Sequence, residues 1–129
     1  MLVKDLMNRE VVIIEPTASL KEALKLMESK NVKSMVVNKK NPHDAYGMIT
    51  YTDIIKAIFA EEGDIDLLNV YDIYKKPALS ISKELEVKHA AKLMIKMGIK
   101  RLLVTDNNEL EGIISMHDII KELIGSIKD

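Results

Sequence analysis

Two short segments of this 129-residue chain carry a hydroxyl and a carboxylate at one spacing. Gly47 to Ile55 reads GMITYTDII and Gly112 to Ile120 reads GIISMHDII, so Thr50 precedes Asp53 as Ser115 precedes Asp118. Two chemistries suit such a pair where a strand turns into a helix. In one, the hydroxyl caps the helix and the aspartate completes a near capping box, favoured by the helix dipole. In the other, the carboxylate faces a ligand. A helix start attracts phosphate, but a carboxylate beside it repels one. Vicinal ribose hydroxyls fit better, because the two carboxylate oxygens accept both. Thr50, Thr52 and Ser115 would then donate to phosphate or sugar oxygens. Each segment also has a glycine three residues before the hydroxyl, leaving room for something to approach the strand. A nucleoside or nucleotide is the ligand class these residues favour.

Other chemistries lack their residues. There is no cysteine, and His43, His89 and His117 are scattered without metal-ligand spacing. No G-x-S-x-G, phosphate-binding glycine loop or paired-carboxylate constellation occurs. Neither a catalytic centre nor a metal site is expected. His43 falls in a polar loop and His89 on an exposed helix position; His117 lies inside the second junction.

The elements that must position these residues are written twice. VKDLM (Val3 to Met7) falls on VYDIY (Val70 to Tyr74), LKEALKLM (Leu20 to Met27) on VKHAAKLM (Val87 to Met94), and VKSMVV (Val32 to Val37) on IKRLLV (Ile99 to Val104). Each copy reads as a short helix, a strand, a helix, two strands and a helix. In the first copy, Val11 to Ile14 is a β-branched run closed by Pro16. Ser19-x-x-Glu22 forms a capping box, and Leu20, Ala23, Leu24 and Met27 make an apolar stripe. Strands follow at Ser34 to Asn38 and Tyr46 to Thr50, and a helix runs from Tyr51 to about Ala60. The spans are 1–62 for the first repeat and 67–129 for the second, joined by the acidic linker 61–66. Met27, Met94 and Met97 are expected as core or interface filler.

With 47% apolar and 30% charged residues, the composition is that of a globular protein, not a disordered one. The net charge of −1 gives no bulk attraction to nucleic acid or anionic membrane. No apolar run reaches spanning length and the start lacks a signal-peptide pattern, so a cytoplasmic address is expected. A copy of about sixty residues buries little core alone, so the two are expected to pack about a pseudo-two-fold axis.

The duplicated β-α-β-β-α unit with G-h-h-[ST]-x-x-D resembles a tandem pair of CBS (cystathionine-β-synthase) domains, also called a Bateman module, over essentially the whole chain. VKDLM, VVIIEPTASLKEALKLM, IKRLLVTD and both glycine-to-aspartate motifs carry the resemblance. It implies an α/β fold and a regulatory, non-catalytic module that binds AMP, ADP, ATP or S-adenosylmethionine in the cleft between the repeats. By position, Asp53 and Asp118 would hold ribose hydroxyls. Thr50 with Thr52, and Ser115 with His117, would lie near ribose and phosphates. Ile14, Thr17 and Ala18, and Ile81 and Leu85, would wall the adenine, partly through backbone groups. Lys100 and Arg101 would meet phosphate, with Lys33 as their counterpart. Because Lys100, Arg101 and His117 all belong to the second copy, the two sites are expected to be unequal. Such a pair acts on an effector protein or through its own oligomer. The wide apolar arcs of Ile54, Ile55 and Ile58, and of Ile119, Ile120, Leu123 and Ile124, lead to the expectation of a homodimer. A different class remains open: a structural interaction module with no nucleotide.

Overall fold

A computed structural model describes residues 1–127. The elements run α1 (Val3–Leu6), β1 (Ile13–Ile14), α2 (Leu20–Lys30), β2 (Ser34–Val37), β3 (Gly47–Thr50) and α3 (Tyr51–Ile55). A π-helical turn, Lys56–Ala60, extends α3, and a 3-10 turn spans Val70–Asp72. Then come β4 (Ser80–Ile81), α4 (Val87–Met97), β5 (Arg101–Asp106), β6 (Glu109–Ser115) and α5 (Met116–Ser126). The fold is α/β with two three-stranded sheets, ordered β1-β2-β3 and β4-β5-β6. In each sheet the short first strand pairs parallel to the second, and the second pairs antiparallel to the third.

The compact units do not coincide with the sequence repeats. One is Val12–Ala78; the other joins Met1–Val11 to the chain from Leu79 onward. We call the second the split unit. Each unit therefore takes its opening helical segment from the other repeat, and the hydrogen bonds show how. In the split unit, Val3 N donates to Leu85 O (2.8 Å) and Lys4 N to Lys83 O (3.0 Å). In the 12–78 unit, Val70 N donates to Ala18 O (2.8 Å) and Tyr71 N to Pro16 O (2.9 Å). These are corresponding residues of the two copies, so one docking is made twice.

Each unit has its own core. In the 12–78 unit, Leu20, Ala23 and Met27 of α2 pack with Met35, Val37, Ile49, Ile54 and the transferred Val70. In the split unit, Ala90 and Met94 of α4 pack with Leu102, Val104, Ile114 and the transferred Val3 and Met7. Met27 and Met94 are core, as expected; Met97 is not, being 55% exposed one turn beyond the stripe.

Local rules set the ends. Helices α2 and α4 stop at Asn31 (φ 54°) and Gly98 (φ 65°), matched left-handed caps. Only half of the expected Ser19 capping box forms. Glu22 N donates to Ser19 Oγ at 3.1 Å, without a return bond from Ser19 N to the Glu22 carboxylate among the described residues. Leu68 O takes the neighbouring Leu20 N at 3.1 Å. The β5–β6 hairpin turns on Asn107 and Asn108, both at positive φ, as a two-residue hairpin loop requires. No helix of the described residues is long and apolar enough to cross a membrane.

Candidate functional site

Both hydroxyl–carboxylate pairs lie where the sequence places them, at the carboxyl end of the last strand of a sheet. Thr50 caps α3: Asp53 N donates to Thr50 Oγ1 at 3.2 Å. In return, Asp53 Oδ2 accepts from Thr50 N (2.9 Å) and Thr50 Oγ1 (3.0 Å). Ser115 and Asp118 repeat the arrangement at the head of α5, with 3.1 Å for Asp118 N to Ser115 Oγ. There Asp118 Oδ2 accepts from Ser115 N and Ser115 Oγ, both at 2.8 Å. The aspartates therefore complete their capping boxes, where at α2 only the Ser19 half forms.

A carboxylate only accepts, so the Thr50 and Ser115 hydroxyls donate to Oδ2 within their own caps. Each Oδ2 takes two hydrogen bonds within its cap. Oδ1 is the oxygen left over on each. Asp118 Oδ1 has no protein partner among the described residues, and Asp53 Oδ1 meets only Lys75 Nζ, at 3.5 Å. Asp53 is the buried polar residue of the 12–78 unit, 7% exposed; Asp118 is half-buried.

The helix starts are also largely satisfied by the protein. Tyr51 N donates to Lys33 O (3.1 Å) and Met116 N to Lys100 O (2.8 Å). Among the first three helical amides, those of Thr52 and His117 have no partner among the described residues, and both residues are exposed. The lysine that precedes each middle strand is thus held beside its junction by its carbonyl, with the side chain of Lys33 or Lys100 in solvent. Sheet register pairs Arg101 with Ser115 as it pairs Ser34 with Thr50, which brings the half-buried Arg101 beside the second junction.

The expected adenine walls divide. Ile14 turns its side chain into the core, and its carbonyl accepts from Asn38 N at 2.9 Å. Ile81 and Leu85 lie half-buried against the split unit's core. Thr17 is exposed and Ala18 half-buried. The carbonyls of Ala18 and Leu85 hold the transferred segments, so these backbone groups serve the fold.

The two glycines have a role that reading along the chain missed. What approaches them is the protein itself. Lys75 and Met48 exchange two backbone hydrogen bonds of 2.9 Å beside Gly47, and Asn8 and Ile113 exchange bonds of 2.8 and 2.9 Å beside Gly112. A Cβ at Gly47 would strike the Tyr74 ring and stand 2.8 Å from Lys75 O; one at Gly112 would stand 2.8 Å from Asn8 O. Lys75 was missed for the same reason. Its signal was the repeat alignment, in which it replaces Asn8.

The chain is similar to known proteins over nearly its whole length. The family described as "CBS domain" matches residues 3–60 and 70–125. An uncharacterized protein of Methanopyrus kandleri is 32% identical over 92% of this chain, and the chain spans 61% of that protein's length. The hexameric CBS-CP12 protein from bloom-forming cyanobacteria superposes with a TM-score of 0.89 at 31% identity, covering 100% of this chain and 72% of that one. A CBS domain pair solved in complex with 5′-methylthioadenosine and S-adenosyl-L-methionine superposes with a TM-score of 0.82 at 25% identity, covering 95% and 99% of the two chains.

Proposed function

The chain belongs to the CBS domain family, as a pair of such domains, and from that membership we propose that it is a regulatory module binding an adenosine ligand through Asp53 and Asp118. One observation carries this reading: each capping box consumes Oδ2 and leaves Oδ1 unfilled by the cap. An oxygen with two lone pairs beside a strand end is an acceptor for vicinal ribose hydroxyls. The Thr52 and His117 amides, on exposed residues, with Lys33, Lys100 and Arg101 alongside, supply donors and positive charge for the remainder of a nucleotide. The complex of a similar pair with two adenosine derivatives supports the ligand class. We assign AMP, ADP, ATP or S-adenosylmethionine to it. The module performs no catalysis in this reading; it acts on an effector protein or through a homodimer.

Aspartate-to-asparagine variants separate ligand binding from capping. An asparagine can turn its amide oxygen to the cap, which puts an amide N–H2 where Oδ1 stood, donor facing donor. Asp53→Asn and Asp118→Asn should therefore melt close to wild type. Each should lose ligand affinity at its own site by roughly tenfold or more, the worth of a charge-assisted hydrogen bond. A calorimetric and thermal-shift panel of adenosine, 5′-methylthioadenosine, S-adenosylmethionine, AMP, ADP and ATP provides the readout. A ligand at a hundred times its Kd stabilises by about 2.7 kcal/mol. Unchanged affinity in both variants would refute the ribose role.

A second reading has an observation of its own. The aspartates already complete the caps, and several large apolar side chains on the final helices are exposed, Phe59 at 77% and Leu123 at 58%. A pure interaction module without nucleotide would show no stabilisation by any member of the panel.

A further inference from the structure

Asp53 and Asp118 sit in the same cap but meet different neighbours. Position 75 in one repeat corresponds to position 8 in the other, since Lys75 bridges to Met48 as Asn8 bridges to Ile113. The Lys75 side chain, 80% exposed, reaches over to place Nζ 3.5 Å from Asp53 Oδ1. Asn8 instead turns back on its own loop, its Oδ1 accepting from Glu10 N at 2.9 Å. Among the described residues, no cationic side chain stands within 4.0 Å of Asp118. Lys75 is therefore a cation at the one oxygen that the cap leaves for a ligand, on one half of a duplicated protein.

We infer that Lys75 is a specificity residue of the Asp53 site, selecting adenosine ligands whose 5′ substituent is anionic. The inference rests on the reading that Asp53 holds ribose. A carboxylate that accepts ribose hydroxyls stands within one sugar of the 5′ group and repels a phosphate there. An ammonium at the same oxygen cancels that repulsion and can itself donate to phosphate. Releasing it costs little, because an ion pair with a solvated lysine is weak. The flexible four-carbon stem then lets Nζ swing from Oδ1 to a phosphate oxygen without moving the backbone. The Lys75 backbone stays bonded to Met48 whatever the side chain does.

The test uses the full chain carrying Asp118→Asn, so that the Asp53 site is read alone. AMP and adenosine, which differ only in the phosphate, are titrated calorimetrically into this parent, its Lys75→Asn derivative and its Lys75→Arg derivative, at low and high salt. Lys75→Asn should weaken AMP by roughly three- to tenfold, the range for one partly screened phosphate contact, and flatten its salt dependence. Adenosine should bind within about twofold of the parent, or tighter, because no ion pair then competes for Oδ1. Lys75→Arg should restore most of the AMP affinity. An unchanged ratio of AMP to adenosine affinity in Lys75→Asn, with binding intact, overturns the role of Lys75 and leaves the ribose reading standing. Failure of both AMP and adenosine to bind the folded parent overturns this inference, and failure of every ligand of the panel to bind wild type overturns the ribose reading with it.

Discussion

A single methyl group is the smallest probe of this protein at the residue scale. Gly47→Ala would drive a Cβ into the Tyr74 ring and Lys75 O, and Gly112→Ala would press on Asn8 O and Met7. Backbone atoms cannot step aside cheaply, so each change should destabilise by about 1–3 kcal/mol, the usual range for overpacking. Gly125 has open space around its Cα within α5, and Gly125→Ala should instead stabilise by roughly 0.5–1 kcal/mol through helix propensity. Urea unfolding of the three variants gives both signs in one experiment. The caps give a further figure: Thr50→Ala or Ser115→Ala should lower stability by about 1 kcal/mol.

At the scale of elements, the loop joining β2 to β3 is fastened to the segment that leads into β4. Asp44 pairs with Lys76 at 2.6 Å, and Ala78 N donates to Tyr46 O at 2.8 Å. The hydrogen bond from Lys76, reinforced by the Lys40 backbone amide, lowers the Asp44 carboxyl from its ordinary 3.8 to about 2. A group with a lowered folded pKa binds fewer protons folded than unfolded. Its stabilisation is therefore complete above about pH 4 and is lost as pH falls from 3.8 towards 2. Asp44→Asn should be less stable than wild type at neutral pH, and the two melting temperatures should converge across that window. A constant difference down to pH 2 would show that the pair does not carry the acid sensitivity. The sequence marks this stretch as a loop through its Asn-Pro, but the ion pair joins residues of different repeats and has no local signature.

At the scale of the whole molecule, the exposed apolar side chains bear on association. The expected arc on the first final helix is corrected by one position. Ile54 is buried in the core and Ile58 packs against it, whereas Ile55 is 57% exposed and Phe59 more so. On α5, Ile120, Leu123 and Ile124 are exposed as expected, and Ile127 joins them. Light scattering at tens of micromolar should give a dimer mass for wild type. Phe59→Glu with Leu123→Glu should give a monomer of unchanged thermal stability, and a dimer that survives both would refute association through these helices. Ile58→Glu should instead unfold the 12–78 unit, since it places a charge against an apolar core.

What the sequence by itself determined is everything that depends on neighbours along the chain. The helical stripe of Leu20, Ala23 and Met27, the strand runs and the hydroxyl–aspartate pairs all follow from local periodicity and hydrogen-bonding geometry. Duplication made the same signals appear twice, and the family resemblance followed from them. Tertiary structure alone decided which partner each group meets. The opening segment of each repeat crosses to the other unit because Val3 and Val70 complete cores whose remaining residues lie far away in sequence. That crossing fills the space beside Gly47 and Gly112, commits the carbonyls of Ala18 and Leu85, and carries Lys75 to Asp53 but only Asn8 to the corresponding place beside Ile113. Hydrophobic burial is non-directional and acts at any sequence separation. The chain read along its length already makes the two sites unequal through Lys100, Arg101 and His117, and the fold adds a difference that no local pattern shows, Lys75 beside Asp53.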